Sequence, residues 1–158
     1  MDSPNPVPHT IAFSIPHNAI VEAIYTPAKI SLAFEQVPDI ELLTTALALW
    51  DTGATHSCIS DRLARQLALE AVDYVHVATA SGIEHVPTYF THLFLPNGLQ
   101  FLNWELMQFQ YTGDESDLII GMDIITKGDF SITNLNGQTL CSFRLPSLHA
   151  LDYEKLLI

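Results

Sequence analysis

Residues 45–50 (TALALW) form an almost unbroken apolar run of strand length, which predicts a strand buried on both faces and ending directly at Asp51. Shorter β-prone runs at 9–16 and 28–34 are punctuated by proline, as expected of edge or terminal strands. Residues 74–78 and 83–95 flank the small side chains of Thr79, Ala80, Ser81 and Gly82, which predicts a long hairpin. Pro96-Asn97-Gly98 then reverses the chain into a strand over 99–109. After a polar loop at 112–116 comes a short apolar strand at 117–120, and Gly121 opens one to two helical turns that stop at Gly128. Asn136-Gly137 marks a second hairpin, joining 130–133 to 139–145. Other helical signals are small. Ser60 can cap a helix with Asp61 in its first turn and Leu63 and Leu67 one turn apart, ending near Leu69, and residues 147–158 have room for a brief helix.

Short strands, tight turns and small helices predict an all-β domain, closed or sandwiched, rather than a βαβ arrangement. A chain of 158 residues that is 48% hydrophobic fits one domain able to bury roughly two thirds of its unfolded surface. The prolines at positions 4, 6 and 8 mark residues 1–15 as an N-terminal arm, leaving a domain over 16–146 and a tail over 147–158. Six Lys plus Arg against 18 Asp plus Glu give a net charge of −12, which argues against nucleic acid and anionic membranes as partners. The acidic excess reads first as a solvated surface, and by steering it also favours basic substrates. Cys58 and Cys141 are too few for a disulfide framework, and no apolar run approaches the ~18 residues of a membrane span. Met1-Asp2-Ser3-Pro4 has no secretory character, so a cytoplasmic protein is expected.

The informative stretch is Asp51-Thr52-Gly53-Ala54. A carboxylate at the end of a buried strand is costly to desolvate unless hydrogen bonds or a shared proton compensate it. Gly53 lets the backbone turn sharply and approach that carboxylate, and Thr52 adds a hydroxyl that can brace the loop. Asp-x-Gly is also ordinary turn chemistry, so the three residues alone are weak evidence. Their order gives them weight: an apolar strand, the Asp51 loop, a capped helix, a small-tipped hairpin, then Ile119-Ile120-Gly121-Met122-Asp123. Asp123, in the first turn of a short helix, reads as a capping or structural carboxylate rather than a second acid. The seven histidines include no i, i+4 pair with an intervening Glu, so no metal site is expected. His56 and Cys58 lie close to Asp51 and leave a cysteine nucleophile conceivable, although a buried, inert cysteine is the favoured reading. Gly-rich phosphate loops, G-x-S-x-G elbows and H-E-x-x-H helices are absent.

With these motifs, roughly residues 28–145 resemble the retropepsin-like aspartic proteases, the group that includes retroviral and retrotransposon proteases. The resemblance implies a closed β-barrel with a flap hairpin, a homodimer, and an aspartic endopeptidase needing no cofactor. It makes Asp51 catalytic, with Thr52 reaching the partner's loop, Gly53 permitting close approach and Ala54 packing behind. Thr79, Ala80, Ser81 and Gly82 become the flap tip over a peptide substrate, and Ile120, Gly121 and Asp123 become structural support. Asp-Thr-Gly occurs once in a chain about half as long as a two-lobed enzyme, which agrees with a second aspartate supplied by a second copy. The sequence departs from the retroviral pattern at Met122, where those members carry arginine, and in having a single flap glycine, Gly82, which implies a stiffer flap. A dimeric peptide-binding or scaffolding module of the same fold is the alternative, and the intact Asp-Thr-Gly-Ala weighs against it.

Overall fold

The chain is described by a computed structural model at residues 9–33, 36, 39, 41, 43–79, 82–113 and 116–156. In order, the elements are β1 (Ile11–Pro16), β2 (Ile24–Leu32), β3 (Thr44–Trp50), β4 (Cys58–Ser60), α1 (Asp61–Gln66), β5 (Asp73–Thr79), β6 (Gly82–Leu95) and β7 (Leu99–Phe109). They continue with β8 (Leu118–Ile120), α2 (Met122–Ile125), β9 (Asp129–Thr133), β10 (Leu140–Leu145) and α3 (Tyr153–Leu156). Strands β2, β3, β8, β4, β7 and β6 follow one another in space, and pairing of β2 with β6 closes them into a barrel. Closure removes the free edges that an open sheet would present.

β6 is 14 residues long because it belongs to two structures. Its first half, from Gly82 to Thr88, pairs with β5 as a projecting hairpin, and its second half, from Thr88 to Leu95, pairs with β7 in the barrel wall. The hairpin is therefore a direct extension of the barrel.

Two expectations about strand environment are corrected. β2 is no edge strand, since it pairs with β3 over Ile24 to Ile30 and with β6 over Lys29 to Leu32. Pro27 is tolerated because it precedes the stretch that pairs on both sides, so one flank at that position carries no ladder. β3 is not buried on both faces either. Ala48 and Trp50 are buried while Leu47 and Leu49 are half-buried, as a barrel strand with one face toward the core requires.

The core is built from inward side chains of every barrel strand, among them Ile30, Ala48, Ile59, Leu93, Leu106, Leu118 and Ile120, all fully buried. Trp50 joins this core to a second, three-stranded sheet ordered β1-β10-β9. Its ring stacks on Phe130 at 5.0 Å and meets Phe143 at 5.1 Å and Phe13 edge-on at 6.0 Å, while Nε1 donates to the buried Thr26 hydroxyl at 2.9 Å. Residues 11–15, placed in the arm from sequence, form most of β1 in this sheet.

The Ser60 hydroxyl accepts the Leu63 N–H at 3.0 Å, capping α1, and donates to Asp117 Oδ1 at 2.7 Å. Arg62 completes the link with two bonds to the Asp117 carboxylate, 3.0 and 2.6 Å, so the start of α1 is tied to the residue that opens β8. At the other end of the domain the Asp129 carboxylate gathers the Leu148 N–H, the Ser147 hydroxyl and the Arg144 guanidinium. Those donors hold its pKa well below the usual carboxylate range. A depressed folded-state pKa contributes stability above the unfolded value of 3.8, and that contribution fades as the pH falls below it. Asp129→Asn is accordingly expected to be less stable than wild type at pH 7, with the gap narrowing below about pH 4. Urea midpoints measured from pH 2 to 7 check this, and a gap independent of pH contradicts it.

Candidate active site

β3 and β4 do not pair with each other. The chain leaves β3 at Asp51, turns through residues 51–57, and re-enters the barrel as β4 with a one-strand gap that β8 fills. β8 runs parallel to β3, with Trp50 opposite Ile120, and antiparallel to β4, with Cys58 opposite Ile119. The Asp51 N–H donates to the Ile120 carbonyl at 3.0 Å, so β8 supports the residue at which β3 ends.

Within the loop the Ala54 N–H donates to the Asp51 carbonyl at 3.2 Å, closing a tight turn. The Gly53 N–H donates to Asp51 Oδ1 at 2.8 Å, and a Cβ at Gly53 would lie 3.1 Å from the same oxygen. Gly53 can therefore bring its amide close to the carboxylate. Asp51 and Ala54 are half-buried, whereas Thr52 and Gly53 are exposed.

The other side of the loop rests on the turn that opens α2. Met122 N–H donates to the Ala54 carbonyl at 2.8 Å and Asp123 N–H to the Thr55 carbonyl at 3.2 Å. Gly121 lies so close that a Cβ there would stand 2.6 Å from both the carbonyl carbon and oxygen of His56, which only glycine avoids. The buried Ser57 hydroxyl accepts the Gly121 N–H at 3.0 Å and donates to Asp123 Oδ1 at 2.7 Å. Asp123 Oδ2 accepts the Trp104 indole N–H at 3.2 Å, and Oδ1 also caps the Ile124 N–H at 3.0 Å. Asp123 thus ties the end of the Asp51 loop, β7 and α2 together, with both oxygens engaged.

Asp51, Gly53, Ala54, Ile120, Gly121 and Asp123 are therefore one assembly. Thr79 and Gly82 face each other as the last ladder pair of the β5–β6 hairpin, while Ala80 and Ser81 lie outside the described residues. Among the described residues, Ser57 and Trp104, absent from the sequence-derived set, are the two side chains that engage Asp123 across the chain. Ser57 follows the motif closely and could have been suspected, but Trp104 carries no local signal. Cys58 donates to the His56 carbonyl at 3.3 Å, and burial, then Asp123 and Asp51, push its thiol pKa up to about 11. A thiol held neutral in this way lacks the character of a nucleophile. Beside the loop, a cleft of about 740 Å³ runs between residues 54–58, β5 and β7.

The profile of the gag-polyprotein putative aspartyl protease family matches residues 44–127, just over half of the chain, spanning β3 through α2. The chain belongs to this family. Among solved structures it is similar to a retropepsin-like aspartic protease from Rickettsia conorii, at 13% identity and a TM-score of 0.50, covering 87% of this chain and 95% of that one. The retroviral protease-like domain of Ddi1 from Leishmania major aligns at 19% identity and a TM-score of 0.48 over 84% and 99% of the two chains. Simian foamy virus protease aligns at 14% and 0.45 over 65% and 91%. No curated protein sequence matches. The retropepsin-like fold, with its closed six-strand barrel, agrees with the Rickettsia likeness.

In this member of the aspartyl protease family the loop depends on a backbone approach that no other residue allows. Gly121→Ala is expected to lower the free energy of unfolding by about 1–3 kcal/mol through overpacking against His56. Chemical denaturation measures this, and unchanged stability would contradict the close approach.

Proposed function

We propose that the protein is an aspartic endopeptidase whose active site forms when two copies bring their Asp51 loops together. The observation that carries this reading is the Asp51 loop itself, braced from below by β8 and Gly121 while Thr52 and Gly53 remain exposed at its crest. A single loop offers one carboxylate, and its exposed crest is the natural surface for a second copy. Thr52 would reach the partner's loop, and Gly53 and Ala54 would shape the approach.

Two carboxylates brought within about 3 Å cannot both ionise easily, so the pair shares one proton and titrates in two coupled steps. The ionised Asp51 takes a proton from a water that attacks the scissile carbonyl, while the protonated Asp51 of the second copy donates to the carbonyl oxygen. The β5–β6 hairpin, with Thr79 and Gly82 beside its tip, would cover an extended peptide and bind it as an added strand. Val72, Tyr74 and Ile83, all exposed on this hairpin or just before it, are available for such contacts. Among the described residues no helix is long and apolar enough to cross a membrane. The free cysteines suit a reducing compartment such as the cytoplasm.

Peptide cleavage assayed from pH 4 to 7 is expected to show a mildly acidic optimum, with Asp51→Asn reducing kcat by at least about 100-fold. Cleavage that persists in Asp51→Asn removes Asp51 from the mechanism, and wild type that binds peptide stably without cutting it would favour a binding module. Since each copy carries −12, sedimentation is expected to show tighter association as salt screens the repulsion beyond a Debye length of about 8 Å. A monomer at high protein and high salt contradicts the shared site.

A further inference from the structure

Alternation along the paired strands sorts the side chains of the hairpin and barrel wall into two faces. Thr88 stands opposite Met107, Val86 opposite Val75, Glu84 opposite Val77, and Phe90 opposite Glu105, which puts all of them on one face. Five of these, Val75, Val77, Thr88, Glu105 and Met107, line the 740 Å³ cleft beside the Asp51 loop. Of these five, only Thr88 and Glu105 are polar. Thr88 is 1% exposed, yet among the described residues its hydroxyl has no hydrogen-bond partner, an uncommon state for a buried polar group. Glu105 is exposed in the cleft and, among the described residues, has no cationic partner.

We infer that this cleft is a substrate side-chain pocket for lysine or arginine, with Glu105 and the Thr88 hydroxyl receiving the cationic head and Val75, Val77 and Met107 covering its aliphatic stem. The inference rests on the protease reading for its physiological role, but the pocket itself does not require turnover. A long basic side chain matches the chemistry because its stem is apolar and its head donates hydrogen bonds, while the wall offers an apolar surface, a carboxylate and a vacant hydroxyl acceptor. Among the described residues neither lysine nor arginine lines the cleft; Lys127, whose ammonium lies 5.7 Å from the Trp104 ring centroid, is outside the lining. The remaining titratable side chains there are His56, Cys58, His76 and Asp123, the last already engaged by Ser57 and Trp104. The overall charge of −12 draws the same class of peptide toward the protein.

The test uses a positional-scanning library of decapeptides in which each position carries Lys, Arg, norleucine or Glu in turn. At one position relative to the cut, wild type is expected to favour Lys or Arg over norleucine by about tenfold or more in kcat/KM. Within each variant the same ratio is read: it should fall below about twofold in Glu105→Gln, fall in Thr88→Val, and turn toward Glu in Glu105→Arg. No basic preference at any position, or a preference that survives both Glu105 variants, overturns the inference. If wild type cuts nothing, fluorescence anisotropy on Asp51→Asn separates the two readings. Tighter binding of Lys than of norleucine decapeptides, lost on adding Glu105→Gln, sustains the pocket while the protease reading fails; equal binding overturns the pocket too.

Discussion

At Gly121 the backbone of β8 and α2 comes closer to residues 54–56 than any side chain would permit, and the candidate site is arranged around that contact. The approach lets Met122 and Asp123 donate to the carbonyls of Ala54 and Thr55, and it lets the Gly121 amide reach the Ser57 hydroxyl. Held on that side by α2 and on the other by the Asp51 to Ile120 bond, the loop has little freedom to take a different shape. The position of the Asp51 carboxylate follows from backbone packing more than from any contact of its own side chain.

The barrel supplies what this contact needs. β8 is three residues long and would not be stable alone, but it lies between β3 and β4 and directly follows an Asp117 fastened to Ser60 and Arg62. Trp50, immediately before Asp51, anchors the end of β3 in an aromatic cluster shared with the second sheet. β6 carries the rigidity of the wall outward into the hairpin beside the cleft. What emerges is a half-buried carboxylate beneath an exposed crest and next to a cleft, the geometry on which the proposed pairing of two copies rests.

Much of this was legible in the sequence because it is written locally. The apolar run into Asp51, the Ser60 cap, the turn residues at 96–98 and 136–137 and the hairpin over 74–95 all follow from neighbours within a few positions. Their assembly into a retropepsin-like barrel was legible through the order of motifs. What escaped depends on partners distant in the chain. Prolines near β2 mimic an edge strand, and only its pairing with both β3 and β6 reveals an interior one. The apolar alternation in β3 was masked because its outward positions, Leu47 and Leu49, are also apolar. Ser57, Trp104 and Asp123 meet across as many as 66 positions, and no local pattern announces a triad of that kind.

In the proposed mechanism the chemistry belongs to a pair of chains, each contributing one Asp51. The most direct measurement is peptide-cleaving activity per milligram as the protein is diluted through its association range at fixed salt and pH. Specific activity should fall with dilution in proportion to the fraction of paired chains. Constant specific activity down to concentrations at which the protein is monomeric would contradict the account.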